Sequence, residues 1–78
     1  MPDPVVTERY NALHSWRKAR ADRRGVESDV IVPKQTLWHL AHKDPSTVDE
    51  LQNIHGLGPW RLQTYGREIL DVLRVAGE

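Results

Sequence analysis

The chain of 78 residues contains no cysteine. Neither a disulfide framework nor a thiolate metal site can therefore supplement its core. The expected setting is reducing and cytoplasmic. There is no apolar run of membrane length, and the N-terminus lacks the basic-then-apolar order of a signal peptide, so no membrane association is expected. Net charge is missing as well, since eleven Lys and Arg balance eleven Asp and Glu. A domain that held nucleic acid tightly by charge alone would be clearly basic. No internal repeat, low-complexity stretch or linker interrupts the chain, which reads as one domain over 1–78. At this length only about 60–65% of the unfolded surface can be buried. No Ser-His-Asp set, paired-carboxylate cleft or phosphate-cradling strand–loop–helix emerges, and so small a domain lacks room for a deep pocket. The domain itself is not expected to be an enzyme, and no cofactor is implied.

What is present is a polarised charge pattern. Residues 1–24 carry Arg9, Arg17, Lys18, Arg20, Arg23 and Arg24 against Asp3, Glu8 and Asp22. Residues 25–50 reverse the sign, with Glu27, Asp29, Asp44, Asp49 and Glu50 against Lys34 and Lys43. The expected architecture is all-α, a compact bundle of four to five short helices. Val6, Tyr10, Leu13, Arg17 and Ala21 follow helical spacing from an Asp3-Pro4 start to a Gly25 stop, predicting a first helix over about 4–24. Val26 to Val32 reads as an extended connection, with Val30, Ile31 and Val32 tucked under the helices. Pro33 opens the next helix, whose Leu37, Leu40 and Ala41 face inward, and Asp44-Pro45 closes it. Thr47-Val48-Asp49-Glu50 has the form of a capping box. The last helix places Leu62, Tyr65, Ile69, Leu73 and Ala76 on one face. Gly66 lies on that face too, marking a close approach of another element.

Between these last helices, Ile54-His55-Gly56-Leu57-Gly58-Pro59-Trp60 reads as a hairpin. Its glycines can take positive φ, and Pro59 suits the first position of a helix. An outward-facing helix start behind such a bend offers amides and macrodipole to an anion, with nucleic-acid phosphate the first partner to consider. The plain alternative is a tight turn and nothing more. Arg9, Trp16, Arg20 and Arg23 flank the apolar stripe of the first helix, though an aromatic at helical spacing more often packs than stacks on a base. Arg17 sits inside the stripe, where a structural role is expected: stem on the core, guanidinium on a carboxylate or a helix-end carbonyl. Trp60, Arg67 and Arg74 form a second stripe, in which Arg67 has Asp71 as a possible surface partner. Trp60 suits either base stacking or docking on a partner protein. His39 and His42 stand three apart without a third ligand and read as surface histidines, not a metal site. His55 could lend a donor to a phosphate, and His14 has no special context.

Several ordered motifs resemble the HRDC domain, the accessory module named for helicases and RNase D. They are Leu13-x-x-Trp16-Arg17, Gly25-Val26…Ile31, Thr36-Leu37-x-x-Leu40-Ala41, Leu51-x-x-Ile54-x-Gly56-Leu57-Gly58 and Tyr65-Gly66-x-x-Ile69-Leu70. The resemblance spans about 6–75, and the C-terminal half also resembles a helix–hairpin–helix. It implies an all-helical bundle without enzyme activity of its own. In RecQ-type helicases such domains bind DNA weakly and tune substrate choice; in RNase D they help engage RNA. The RecQ parent is preferred. One departure stands out: where bacterial relatives run through prolines to an aromatic residue after Gly25-Val26, this chain has Glu27-Ser28-Asp29. A carboxylate there repels phosphate and cannot stack.

Two functional readings follow. In the first, Arg20, Arg23, Arg24 and Lys34 supply charge while Gly56, Gly58, Trp60 and Arg61 of the hairpin hold a phosphate of single-stranded or junction DNA. In the second, Glu27, Asp29 and Trp60 dock the domain on the helicase core of its own chain. The isolated domain is expected to be a monomer.

Overall fold

Asp3 and Gly25 set the ends of the longest helix. In the computed structural model, which describes residues 3–78, α1 spans Pro4–Arg24. The Asp3 carboxylate accepts the Val5 amide at 2.9 Å, satisfying one of the four orphan donors of the first turn. Gly25 adopts φ +69°, and the following Val26 amide donates back to the Ala21 carbonyl at 3.0 Å. Val6, Leu13, Arg17 and Ala21 form the buried stripe, as their spacing predicts.

The segment after α1 differs from the expected extended connection. Ser28–Ile31 forms a single helical turn, α2, closed by a bond from the Val32 amide to the Ser28 carbonyl. Ile31 and Val32 are both fully buried, whereas Val30 is 47% exposed. In an extended strand, neighbouring side chains point to opposite faces. The turn resolves that conflict by bringing Ile31 and Val32 into one core and leaving Val30 outside.

Pro33 precedes α3, Lys34–Lys43, which buries Thr36, Leu37, Leu40 and Ala41. It stops at Asp44, whose φ of +48° is a left-handed conformation that Asp tolerates better than most side chains. The helix α4, Val48–Leu51, is capped by Thr47 Oγ1, which accepts the Glu50 amide at 3.2 Å. The expected reciprocal half of the capping box is displaced by one residue: Glu50 accepts from the Ser46 amide and hydroxyl instead. The last helix, α5, spans Gly58–Ala76 and buries Tyr65, Gly66, Ile69 and Leu73. A Cβ on Gly66 would stand 3.4 Å from Leu51 Cδ1, so α4 comes as near as the glycine predicts.

α1 is the central element. On one side α5 runs antiparallel to it, with Trp16 and Arg20 beside Glu68 and Arg24 beside Trp60 and Tyr65. On the other side α3 packs against it through stacked Tyr10 and Trp38 rings, 3.8 Å apart and 12° from parallel. Leu13, Ile31, Leu37, Leu51, Leu57, Tyr65 and Ile69 fill the space between, none more than 1% exposed.

Arg17 behaves as its position predicts and takes both expected partners. Only 6% exposed, it donates to the Val32 carbonyl at 2.9 Å and to Asp29 Oδ1 at 3.3 Å, tying α2 to α1. The two partners are unequal, because the Asp29 side chain is 83% exposed and water screens its charge. Asp29→Asn is therefore expected to change stability by less than about 1 kcal/mol. Arg17→Ala removes the packed stem and strands a buried carbonyl, an expected loss of about 2–4 kcal/mol. Urea unfolding of the two variants side by side measures the difference.

Candidate nucleic-acid interface

The bend between α4 and α5 is anchored at Ile54, at Leu57 and by a bond from Thr36, and its remaining residues are open. Leu57 is 1% exposed, while His55, Gly56, Gly58, Pro59 and Trp60 around it are exposed. Gly56 and Gly58 take φ +87° and +74°, which turns the chain sharply on both sides of Leu57. The Leu57 amide is bonded to the Ile54 carbonyl. Among the described residues, the amides of His55, Gly56, Gly58 and Trp60 have no acceptor, and no side chain caps α5. Thr36 Oγ1 donates to the His55 carbonyl at 3.2 Å, which holds the bend against the first turn of α3.

The structure sorts the basic residues by what surrounds each guanidinium or ammonium. Arg24 reaches this end of the molecule from α1: its Nη1 donates to the Tyr65 hydroxyl at 2.6 Å, and its Cζ lies 5.6 Å from the Trp60 ring centroid. Neither partner is a carboxylate, so its charge is uncompensated. Arg23 and Lys34 are exposed and form no ion pair among the described residues. Lys34 stands in the same turn of α3 that Thr36 joins to the bend.

Two residues assigned to nucleic acid from sequence have partners within the fold. Arg20 is paired with Glu68 at 3.2 Å and lies 5.2 Å over the Tyr65 ring, so its charge is met within the protein. Arg61 donates through Nε to the Ile31 carbonyl at 2.9 Å and through Nη2 toward Val30, clamping the end of α2 to the start of α5. Carbonyls leave its positive charge in place and take two of its five N–H donors, so Arg61 spends part of its hydrogen-bonding capacity inside the fold. Two further surface expectations are also revised. Arg9 is not a free rim residue, since it holds Asp44 at 3.2 Å and the Ala41 carbonyl at 3.1 Å. Asp71 pairs with Arg74 at 3.8 Å rather than with Arg67.

The aromatic residues divide similarly. Trp16 is half-buried, edge-on to Tyr65, and its indole N–H donates to Glu68 at 3.0 Å, consistent with packing and not base stacking. Trp60 is 57% exposed. The feature missed from sequence is Tyr65 as the hub on which Trp16, Arg20, Arg24 and Trp60 converge. Spacing held a clue: Trp16, Arg20 and Arg24 recur every four residues on α1, a register that picks out Arg24 over Arg23.

On the acidic side, Glu27 is exposed and lines an open depression with His14, Lys18 and Asp22, while Asp29 is partly engaged by Arg17. His39 faces His55 across the bend, with ring centroids 5.9 Å apart, and His42 lies near Trp38. No group of three or more His, Cys, Asp or Glu able to hold a metal ion occurs among the described residues. No helix among the described residues is long and apolar enough to cross a membrane.

Comparison with known proteins agrees with the fold. Ribonuclease D of Psychromonas ingrahamii is 31% identical over 62 residues, covering 80% of this chain and 16% of that protein. The ATP-dependent DNA helicase RecQ of Bacillus subtilis is 34% identical over 67 residues, covering 86% of this chain and 11% of that protein. The chain thus corresponds to a small part of either relative. The solved structure of D. radiodurans RecQ HRDC domain 3 superposes with a TM-score of 0.91 at 30% identity, covering 94% of this chain and 96% of that one. The HRDC domain model matches residues 6–73, which takes in every helix from the first turn of α1 to most of α5, and the chain belongs to the HRDC domain family.

Proposed function

We propose that this domain is a non-catalytic accessory module of a RecQ-type DNA helicase, one that binds nucleic acid weakly and modulates the substrate choice of the helicase core. The observation that carries the reading is a coincidence of place. The open amides of the 55–60 bend and the uncompensated charge of Arg24 lie at one end of the molecule, with Lys34 in the adjoining turn of α3. Backbone amides at a helix start, with cations beside them, suit phosphate oxygens. The likeness to RecQ HRDC domain 3 over nearly its whole length supports a helicase parent in preference to a ribonuclease.

So few cations neutralise few phosphates. Titration of labelled single-stranded and forked DNA at low salt is expected to give dissociation constants in the high micromolar range. The logarithm of affinity should fall with that of salt at a slope of about −1 to −2, since each phosphate neutralised on a single strand contributes about −0.7. Absence of binding at high micromolar protein overturns the reading for the isolated domain. The exposed acidic turn of Glu27 and Asp29 favours a second reading, docking on the helicase core. Glu27→Gln with Asp29→Asn in the parent enzyme then changes core ATPase activity while the DNA affinity of the domain stays flat.

A further inference from the structure

We infer that Trp60 and Arg24 form a seat for one unpaired nucleotide, its base lying on the indole and its phosphate beside the guanidinium. The inference rests on the nucleic-acid reading above and names the form of strand the site takes. Trp60 carries the largest exposed aromatic surface of the domain, whereas Val5, Val30, Val48 and Val75, the other large exposed hydrophobics, are aliphatic. An exposed indole has a π-face on which any base can lie. Its neighbours fix it in place: the Tyr65 ring meets it edge-on at 5.8 Å and 87°, and Tyr65 is itself fully buried.

Arg24 completes the seat. It spans Tyr65 and Trp60, bonded to the hydroxyl of one and lying over the ring of the other, so the cation is held beside the stacking surface before any ligand arrives. Such pre-positioning lowers the ordering entropy lost on binding. No carboxylate lies within ion-pair distance of Arg24 among the described residues. An indole that carries an unneutralised cation over one face and keeps more than half of its surface open matches a ligand that joins a flat ring to an anion within one residue, which is a nucleotide. The bases of an intact duplex are stacked on each other and cannot lie on the indole, so the seat selects unpaired strands or the unpaired arm of a junction.

The test compares a 15-mer of oligothymidylate with a strand of equal length built entirely of abasic sites, which keeps every phosphate and removes every base. The 78-residue chain is expected to bind the base-bearing strand about tenfold more tightly, the size of one base–aromatic stack. Trp60→Ala should lower affinity for oligothymidylate to that of the abasic strand, leave abasic binding unchanged and retain the helical circular dichroism of the parent chain. Trp60→Phe should fall between, and Arg24→Gln should weaken both strands. Equal affinity of the unaltered chain for the two strands overturns the seat while leaving the nucleic-acid reading intact. Binding to neither strand overturns both.

Discussion

Gly56→Ala lowers the stability of the domain by about 2–4 kcal/mol, an unusually large loss for one methyl group. Two independent penalties combine. At φ +87° a residue with a Cβ suffers a backbone strain of about 1–2 kcal/mol. The added Cβ would also collide with Thr36 Oγ1, the atom that donates to the His55 carbonyl. Thr36 is only 2% exposed, so it cannot swing into solvent. It must give up its hydrogen bond, worth about 1 kcal/mol, or push the bend away from α3. A domain of this size has a total stability of about 4–12 kcal/mol, so the change is a substantial fraction of it. Gly58→Ala is the control: its φ is +74°, but a Cβ there meets nothing within 4 Å. Only the strain applies, about 1–2 kcal/mol. Urea denaturation of the two variants separates them, and equal losses would mean that the approach of Thr36 does not constrain the bend.

The contrast between these glycines shows what the sequence makes legible. That the chain bends sharply at Gly56-Leu57-Gly58 follows from residue type alone, as do the ends of α1, where Asp3-Pro4 and Gly25 act locally. The long helices were readable because a period of 3.6 repeats several times within them, and Arg17 declared its buried role by standing in an apolar stripe. α2 was not readable: four residues are too few to display a helical period, and its cause is tertiary, the need to bury Ile31 and Val32 together. Glu50 illustrates a subtler failure. Its spacing from Thr47 fits a capping box, but the neighbouring Ser46 offers two donors to the same carboxylate and takes it.

The candidate interface was half legible for a related reason. Glycines, an exposed Trp and a stock of arginines are properties of the list of residues. Which arginine keeps a free charge is a property of packing. Arg20 meets Glu68 only because α1 and α5 lie antiparallel in one register, and that register carries Arg24 past the last carboxylate to Tyr65 and Trp60. Arg61 gives two of its donors to the C-terminal end of α2, an element that sequence periodicity could not announce.

Tyr65 joins the fold to the interface, and its two substitutions should part those roles. Tyr65→Ala deletes the largest fully buried side chain, against which Trp16 and Trp60 pack edge-on and over which Arg20 lies. Truncating a buried aromatic to alanine removes about 3–5 kcal/mol, a large share of the stability of about 4–12 kcal/mol expected for a domain this small. Tyr65→Phe keeps the ring and all of that packing. It removes only the acceptor of the 2.6 Å bond from Arg24, an expected loss of about 1 kcal/mol. The partly exposed guanidinium then turns to water instead of being stranded in the core, which keeps the loss small. Thermal and urea unfolding should therefore rank Tyr65→Phe near the parent chain and Tyr65→Ala far below it. A Phe variant as unstable as the Ala variant would place the weight of this seam on the hydroxyl and not on the ring. The ring's burial, by contrast, predicts a folded Phe variant in which Arg24 keeps only its contact with Trp60, so the guanidinium gains freedom while the helical scaffold beneath it stays intact.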